Sequence, residues 1–117
     1  MDKYKQALGK RGERLAVQFL RRQGYRILAR NFSCRLGEID LIAQEKDTTV
    51  FIEVKTRASC EFGLPQAAIR QKKIKHLRRT AQYYIKHNAH SDDNFRFDVV
   101  AIVLEDLPKI ELIKNAF

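Results

Sequence analysis

A chain of 117 residues is long enough for one core and too short for two, so a single domain spanning residues 1–117 is expected. Its 23 Lys and Arg against 14 Asp and Glu leave a net charge of +9, which points to an anionic partner wherever the positive charge is concentrated. No window is apolar enough to cross a bilayer, the charged start Met1-Asp2-Lys3-Tyr4-Lys5-Gln6 leads into no signal core, and Cys34 and Cys60 lack zinc or C-x-x-C spacing. A membrane span, export, a zinc site and a structural disulfide are therefore not expected, and the chain is assigned to the cytoplasm.

The first expected element is a helix over 11–22. At about 100° per residue, Gly12, Leu15, Ala16, Val17, Phe19 and Leu20 form one arc, opposite Arg11, Arg14, Gln18, Arg21 and Arg22. Glu13 falls inside the apolar arc, between Leu20 and Val17, so this helix aims a carboxylate at whatever it packs on. A strand over 25–31 follows Gly24, then a turn over 32–36. Two alternating runs over 37–43 and 49–56, separated by the polar 44–48 of hairpin-loop length, read as an antiparallel pair of strands.

This pair carries charge where apolar residues belong. Period two puts Phe51, Glu53 and Lys55 on one face and Val50, Ile52 and Val54, which read as core, on the other; the hairpin then brings Asp40 beside Glu53. A carboxylate taken out of water must be paired, coordinated or neutralised. Glu13, Asp40 and Glu53 offer the hard oxygen donors that Mg²⁺ or Mn²⁺ takes, and such an ion suits phosphodiester hydrolysis, with Lys55 orienting the nucleophile or neutralising the developing charge. Each residue alone has a bland reading, as part of a solvated strand face or a surface ion pair worth at most about 1 kcal/mol. Their coincidence favours a site. Glu38 on the face of Asp40, Arg57 at the start of a loop over 57–64, and Gln66 at the helix entrance beyond it are candidates to support that site, though exposure beside the Gly37 turn explains Glu38 equally well, and helix-start polarity Gln66.

After Pro65 a helical segment turns Arg70, Lys72, Lys73, Lys75, Arg78 and Arg79 outward, while Ile74, Leu77, Ala81, Tyr84 and Ile85 recur at helix spacing and pack inward. With Arg11 and Arg14 of the first helix, these basic residues are candidate contacts to a DNA backbone; solvated helix faces are the plainer alternative. His76, His87 and His90 are scattered and read as solvated. Late strands over 94–104 and 109–114 flank Glu105-Asp106-Leu107-Pro108, and Asp98 shares a face with Arg96 as a structural ion pair. Phe95, Phe97 and Tyr83 mark the candidate apolar surfaces.

Glu13 on a first helix, Gly37-Glu38-Ile39-Asp40 on a strand, Phe51-Ile52-Glu53-Val54-Lys55-Thr56-Arg57 on the next, and the later Arg96-Phe97-Asp98-Val99-Val100 resemble the bacterial YraN (UPF0102) family over nearly the whole chain. That family is similar to the archaeal Holliday-junction resolvases among the PD-(D/E)xK nucleases. The resemblance implies an α/β, restriction-endonuclease-like fold: a central mixed β-sheet flanked by α-helices. It also implies a metal-dependent endonuclease acting on duplex or branched DNA as a homodimer, with Glu13 matching the helix glutamate, Asp40 the motif aspartate, and Glu53 and Lys55 the (D/E)xK pair. Ile39-Asp40 stands where the superfamily name has Pro-Asp, and Lys86 stands where the RecB branch would pair a tyrosine with Gln82. A module that keeps the fold and binds DNA or RNA without turnover is the main alternative; an adaptor that docks an acidic protein on its basic helices is a further one.

Overall fold

The computed structural model describes residues 3–59, 71–88 and 94–117. Helix α1 (Lys3–Arg22) is followed by strands β1 (Arg26–Cys34), β2 (Gly37–Glu45) and β3 (Thr48–Arg57), helix α2 (Gln71–His87), and strands β4 (Phe95–Val103) and β5 (Lys109–Ile113). The strands form one sheet in the order β1-β2-β3-β4-β5. All neighbours run antiparallel except β3 and β4, which are parallel, as a connection long enough to include α2 permits. This five-stranded mixed sheet with two helices is compatible with a restriction-endonuclease-like fold. Among the described residues no helix is long and apolar enough to cross a membrane.

Both faces of the sheet are buried. On one, Ala16, Val17 and Leu20 of α1 pack with Leu41, Ala43, Val50, Ile52, Val100 and Ile102. On the other, Leu77, Ala81 and Tyr84 of α2 pack with Ile39, Ile42 and Phe51. The face of Phe51 and Glu53 is therefore a core face as much as that of Val50 and Ile52, and each fully buried Ile, Leu or Phe contributes about 1.5–3 kcal/mol. Glycine sets how near α1 comes: a Cβ on Gly12 would stand 2.8 Å from Thr56 Cβ at the end of β3. A closely docked helix at that point leaves the next residue, Glu13, beside the same strand end.

Three expected boundaries move. Helix α1 begins at Lys3, because 3–10 consists mostly of good helix formers that extend the helix without its apolar stripe. Strand β1 continues to Cys34 through the expected turn, since Phe32 packs edge-on against Tyr84 with ring centroids 5.3 Å apart. The expected loop 44–48 shrinks to Lys46 and Asp47, with Glu45 and Thr48 still paired and Lys46 at φ 55° to close the turn.

Candidate active site

The pairing of β2 with β3 runs from Glu45↔Thr48 to Leu41↔Ile52. Beyond it the side chain of Asp40 takes over the ladder, its Oδ2 accepting the Val54 N–H at 2.8 Å. That fixes the Asp40 carboxylate beside Glu53, one residue back on β3, near enough for its charge to act on Glu53. Glu53 is only 4 % exposed, and two cations face it: Lys73 Nζ at 3.1 Å from Oε1 and Lys55 Nζ at 3.9 Å.

The electrostatics follow from crowding. Burial, followed by the hydrogen bond and like charge of Asp40, pushes Glu53 up to about 8, with Lys73 and Lys55 offsetting part of the rise. Burial and the neighbouring Lys73 ammonium lower the pKa of Lys55. Burial would lower Lys73 as well, but its contacts with Lys55 and Glu53 outweigh that and hold it above the ordinary lysine value. Glu53, Lys55 and Lys73 are thus all perturbed beside Asp40, an arrangement enriched at functional sites.

Two cavities open on this cluster. A small one, about 270 Å³, is lined by Asp40, Glu53, Lys73 and His76 together with Gly37 and Leu77, and Glu38 borders it. A larger one of about 1120 Å³ is lined by Glu13, Asn31, Glu38, Asp40, Lys55 and Arg57 among others. Asp40 and Glu38 border both. Glu13 is half-buried, and its Oε1 accepts a hydrogen bond from Asn31 Nδ2 at 3.0 Å. Asn31 sits in the left-handed region, φ 51°, in the middle of β1. A non-glycine residue held there is strained, and the strain coincides with the residue that orients Glu13.

The structure therefore joins Asp40, Glu53 and Lys55, and places Glu13 on the wall of the adjoining cavity. Among the described residues no three His, Cys, Asp or Glu side chains converge into a cluster ready to hold a metal ion. The donor set still fits a hard cation: Mg²⁺ keeps several of its waters and needs only one or two protein carboxylates, which Asp40 and Glu53 supply. Glu38 is exposed at the rim and Arg57 is half-buried at the end of β3. Gln66, Arg70 and most of the expected loop lie outside the described residues, as do Cys60 and His90. Cys34 is a free thiol.

Arg11 and Arg14 on α1, and Lys72, Lys75, Arg78 and Arg79 on α2, are exposed. Because the two helices cover opposite faces of the sheet, these basic faces look away from each other. Lys73 is the exception in the α2 run, since it turns inward to Glu53. Its signal was in the sequence: Lys73, Leu77 and Ala81 are spaced by four, so the lysine stands on the apolar stripe of α2, as Glu13 does on that of α1. His76 is exposed, with Nδ1 3.4 Å from the Leu36 carbonyl, and His87 stacks on Tyr83 at 4.1 Å. Tyr83 and Phe97 are half-buried, and Phe95 is exposed.

Asp98 is paired with Arg96, and the pair belongs to a wider set. Asp98 accepts from Arg96 Nε and Tyr25 Oη at 2.8 Å, and from Arg96 Nη2 and the Asn115 N–H at 3.0 Å. Arg96 also donates to Glu45, which in turn receives Lys114. Tyr25, Glu45 and Lys114 were not foreseen as partners.

Residues 12–102 match the model of the uncharacterised protein family UPF0102. A UPF0102 protein of Caldicellulosiruptor saccharolyticus is 49 % identical over 116 residues, covering 97 % of this chain and 98 % of its own length. Those of Caldicellulosiruptor bescii (50 % over 114 residues; 94 % of this chain and 96 % of its own) and Syntrophomonas wolfei (48 % over 111 residues; 94 % and 96 %) align as fully. The match runs from the helix that carries Glu13 through both strands of the carboxylate pair to β4, and the chain belongs to the UPF0102 family.

Proposed function

We propose that this protein is a metal-dependent endonuclease that hydrolyses DNA phosphodiester bonds in the cytoplasm, selecting branched or junction structures over sequence. The observation that carries the reading is the contact of Asp40 with the buried Glu53, faced by Lys55 and Lys73 and open to a cavity of about 1120 Å³. Asp40 and Glu53 would hold Mg²⁺ or Mn²⁺, with Glu13 completing the donor set from the cavity wall. When bound, that ion acidifies water and offsets the charge that develops on phosphorus. Lys55 orients the attacking water and neutralises charge on the phosphoryl oxygens. Arg11, Arg14, Lys72, Lys75, Arg78 and Arg79 bind the backbone phosphates without reading bases, which is why structure and not sequence is the target. A homodimer would place two such sites for paired cuts.

The test is cleavage of labelled four-way junction, flap, duplex and single-stranded DNA with Mg²⁺ or Mn²⁺ and with chelator. Metal-dependent cuts should fall by roughly 100-fold or more in Glu53→Ala and in Lys55→Ala. The absence of a convergent three-ligand cluster among the described residues favours a second reading, a DNA- or RNA-binding module without turnover. It predicts no cutting at all, with binding that weakens by about 0.9 in log K per log salt for every phosphate neutralised.

A further inference from the structure

Lys73 is the one basic residue of α2 committed to the site, and its contact with Glu53 is shorter than that of Lys55, 3.1 Å against 3.9 Å. The two partners differ in mobility. Glu53 is 4 % exposed and held by β3, whereas Lys73 is 43 % exposed and ends a flexible four-carbon stem. If a further charge enters, the lysine moves. The small cavity that Lys73 shares with Asp40 and Glu53 holds about 270 Å³, room for several waters at about 30 Å³ each and hence for a partly hydrated divalent ion.

We propose that Lys73 is a positioning residue that stands in for the divalent cation: its ammonium neutralises Glu53 in the metal-free protein and is displaced when the ion binds. This rests on reading Asp40 and Glu53 as the metal-holding carboxylates. A contact pair of carboxylates cannot stay ionised without compensation, and burial makes that need acute. A cation that brings two positive charges supplies the compensation more fully than one ammonium, so the two compete for the same oxygen. The displaced Lys73 can turn out to water, since 43 % of its side chain is already exposed.

Titration of Mn²⁺ in the absence of nucleic acid, followed by calorimetry on wild type, Lys73→Met, Lys73→Arg, Lys86→Met and Glu53→Ala, tests this. Removing the competitor should tighten Mn²⁺ roughly tenfold in Lys73→Met, the size of a partly buried ion pair, while Lys73→Arg stays within about twofold of wild type. Lys86→Met removes the same charge from the exposed far end of α2 and should leave the affinity unchanged. Equal or weaker Mn²⁺ binding in Lys73→Met overturns the proposal, and so does an equal gain in Lys86→Met. A lysine that only tethered α2 to β3 would change stability without tightening the metal. Wild-type Mn²⁺ binding that requires Glu53 but does not respond to Lys73 refutes the stand-in and spares the metal site. Tightened binding in a protein that cuts no DNA does the reverse, and no Mn²⁺ binding in any variant removes both.

Discussion

Strand β2 begins beside one charged cluster and ends in another, and the two are built on opposite terms. At its end, Glu45 joins Arg96, Asp98, Tyr25 and Lys114 in a network where acids and bases alternate; Asp98, 0 % exposed, accepts four hydrogen bonds. At its start, Asp40 lies against Glu53, and Lys55 lies against Lys73, so like charges touch like. In the first cluster Arg96 and Glu45 are driven toward their charged forms: Arg96 is raised, chiefly by the hydrogen bond to Asp98, and Glu45 is lowered by Arg96 and Lys114 in spite of its burial, while burial and Asp98 keep the Tyr25 phenol protonated as a donor. The second drives Glu53 up and Lys55 down, each toward its neutral form. Burial is common to both. What separates them is pairing: the network around the saturated Asp98 sets opposite charges against each other and fixes the fold, whereas the Asp40 and Glu53 cluster sets like charges side by side, an arrangement met more often at functional sites.

The sharpest break of this comparison is a pair of substitutions expected to differ several-fold in their cost. Asp98→Ala leaves Arg96 and Tyr25 Oη without their acceptor and should cost about 3–5 kcal/mol in urea unfolding. Asp40→Asn removes one of two crowded carboxylates while keeping a side-chain oxygen for the Val54 N–H. It should cost less than about 1 kcal/mol in the presence of chelator. If both losses were alike, the two clusters would not differ in kind.

A smaller effect distinguishes them through pH. Glu53 binds its proton more tightly folded than unfolded, so stability is greatest below the ordinary carboxylate range and declines as pH rises toward about 8. The decline is at most about 1.4 kcal/mol per pH unit. Glu53→Gln abolishes that decline. Under chelator the variant should therefore gain on wild type between pH 5 and pH 9, read from urea midpoints at each pH. A constant difference would place the proton elsewhere.

How much of this was legible depended on whether a local period carried the signal. Glu13 stood out because the helical wheel put it on an apolar arc, and Asp40, Glu53 and Lys55 because alternation placed charge in apolar strands. Lys73 obeyed the same logic on the stripe of Leu77 and Ala81, but in a run of six bases its position was masked by its neighbours. Strand β1 escaped its full length because its period is broken twice, by the register shift between Ile27 and Ala29 and by Asn31 at φ 51°. The Asp98 network joins residues as far apart as Tyr25 and Asp98, separated by 73 positions, and no local pattern encodes such closure. A mixed sheet was implied by family resemblance; its strand order was not, and only the hairpin part of it was readable from spacing.

The smallest expected effect lies at the edge of the saturated cluster, where Lys114 Nζ meets Glu45 Oε2 at 3.0 Å and half of the lysine side chain is exposed. Glu45 keeps its charged form in the fold at pH values where the unfolded chain takes up a proton. The stabilisation is therefore present above the ordinary carboxylate range and is lost as pH falls through it. Lys114→Met removes only the outer partner, because Arg96 still holds Glu45 at 2.8 Å. It should cost about 0.5 kcal/mol at neutral pH and low salt, and nothing measurable at pH 3 or in 1 M salt, by urea unfolding. A cost that persists in high salt would mean that Lys114 acts through its aliphatic stem against the Tyr25 ring, which its ammonium overhangs at 5.9 Å, and that packing, not charge, closes this end of the network.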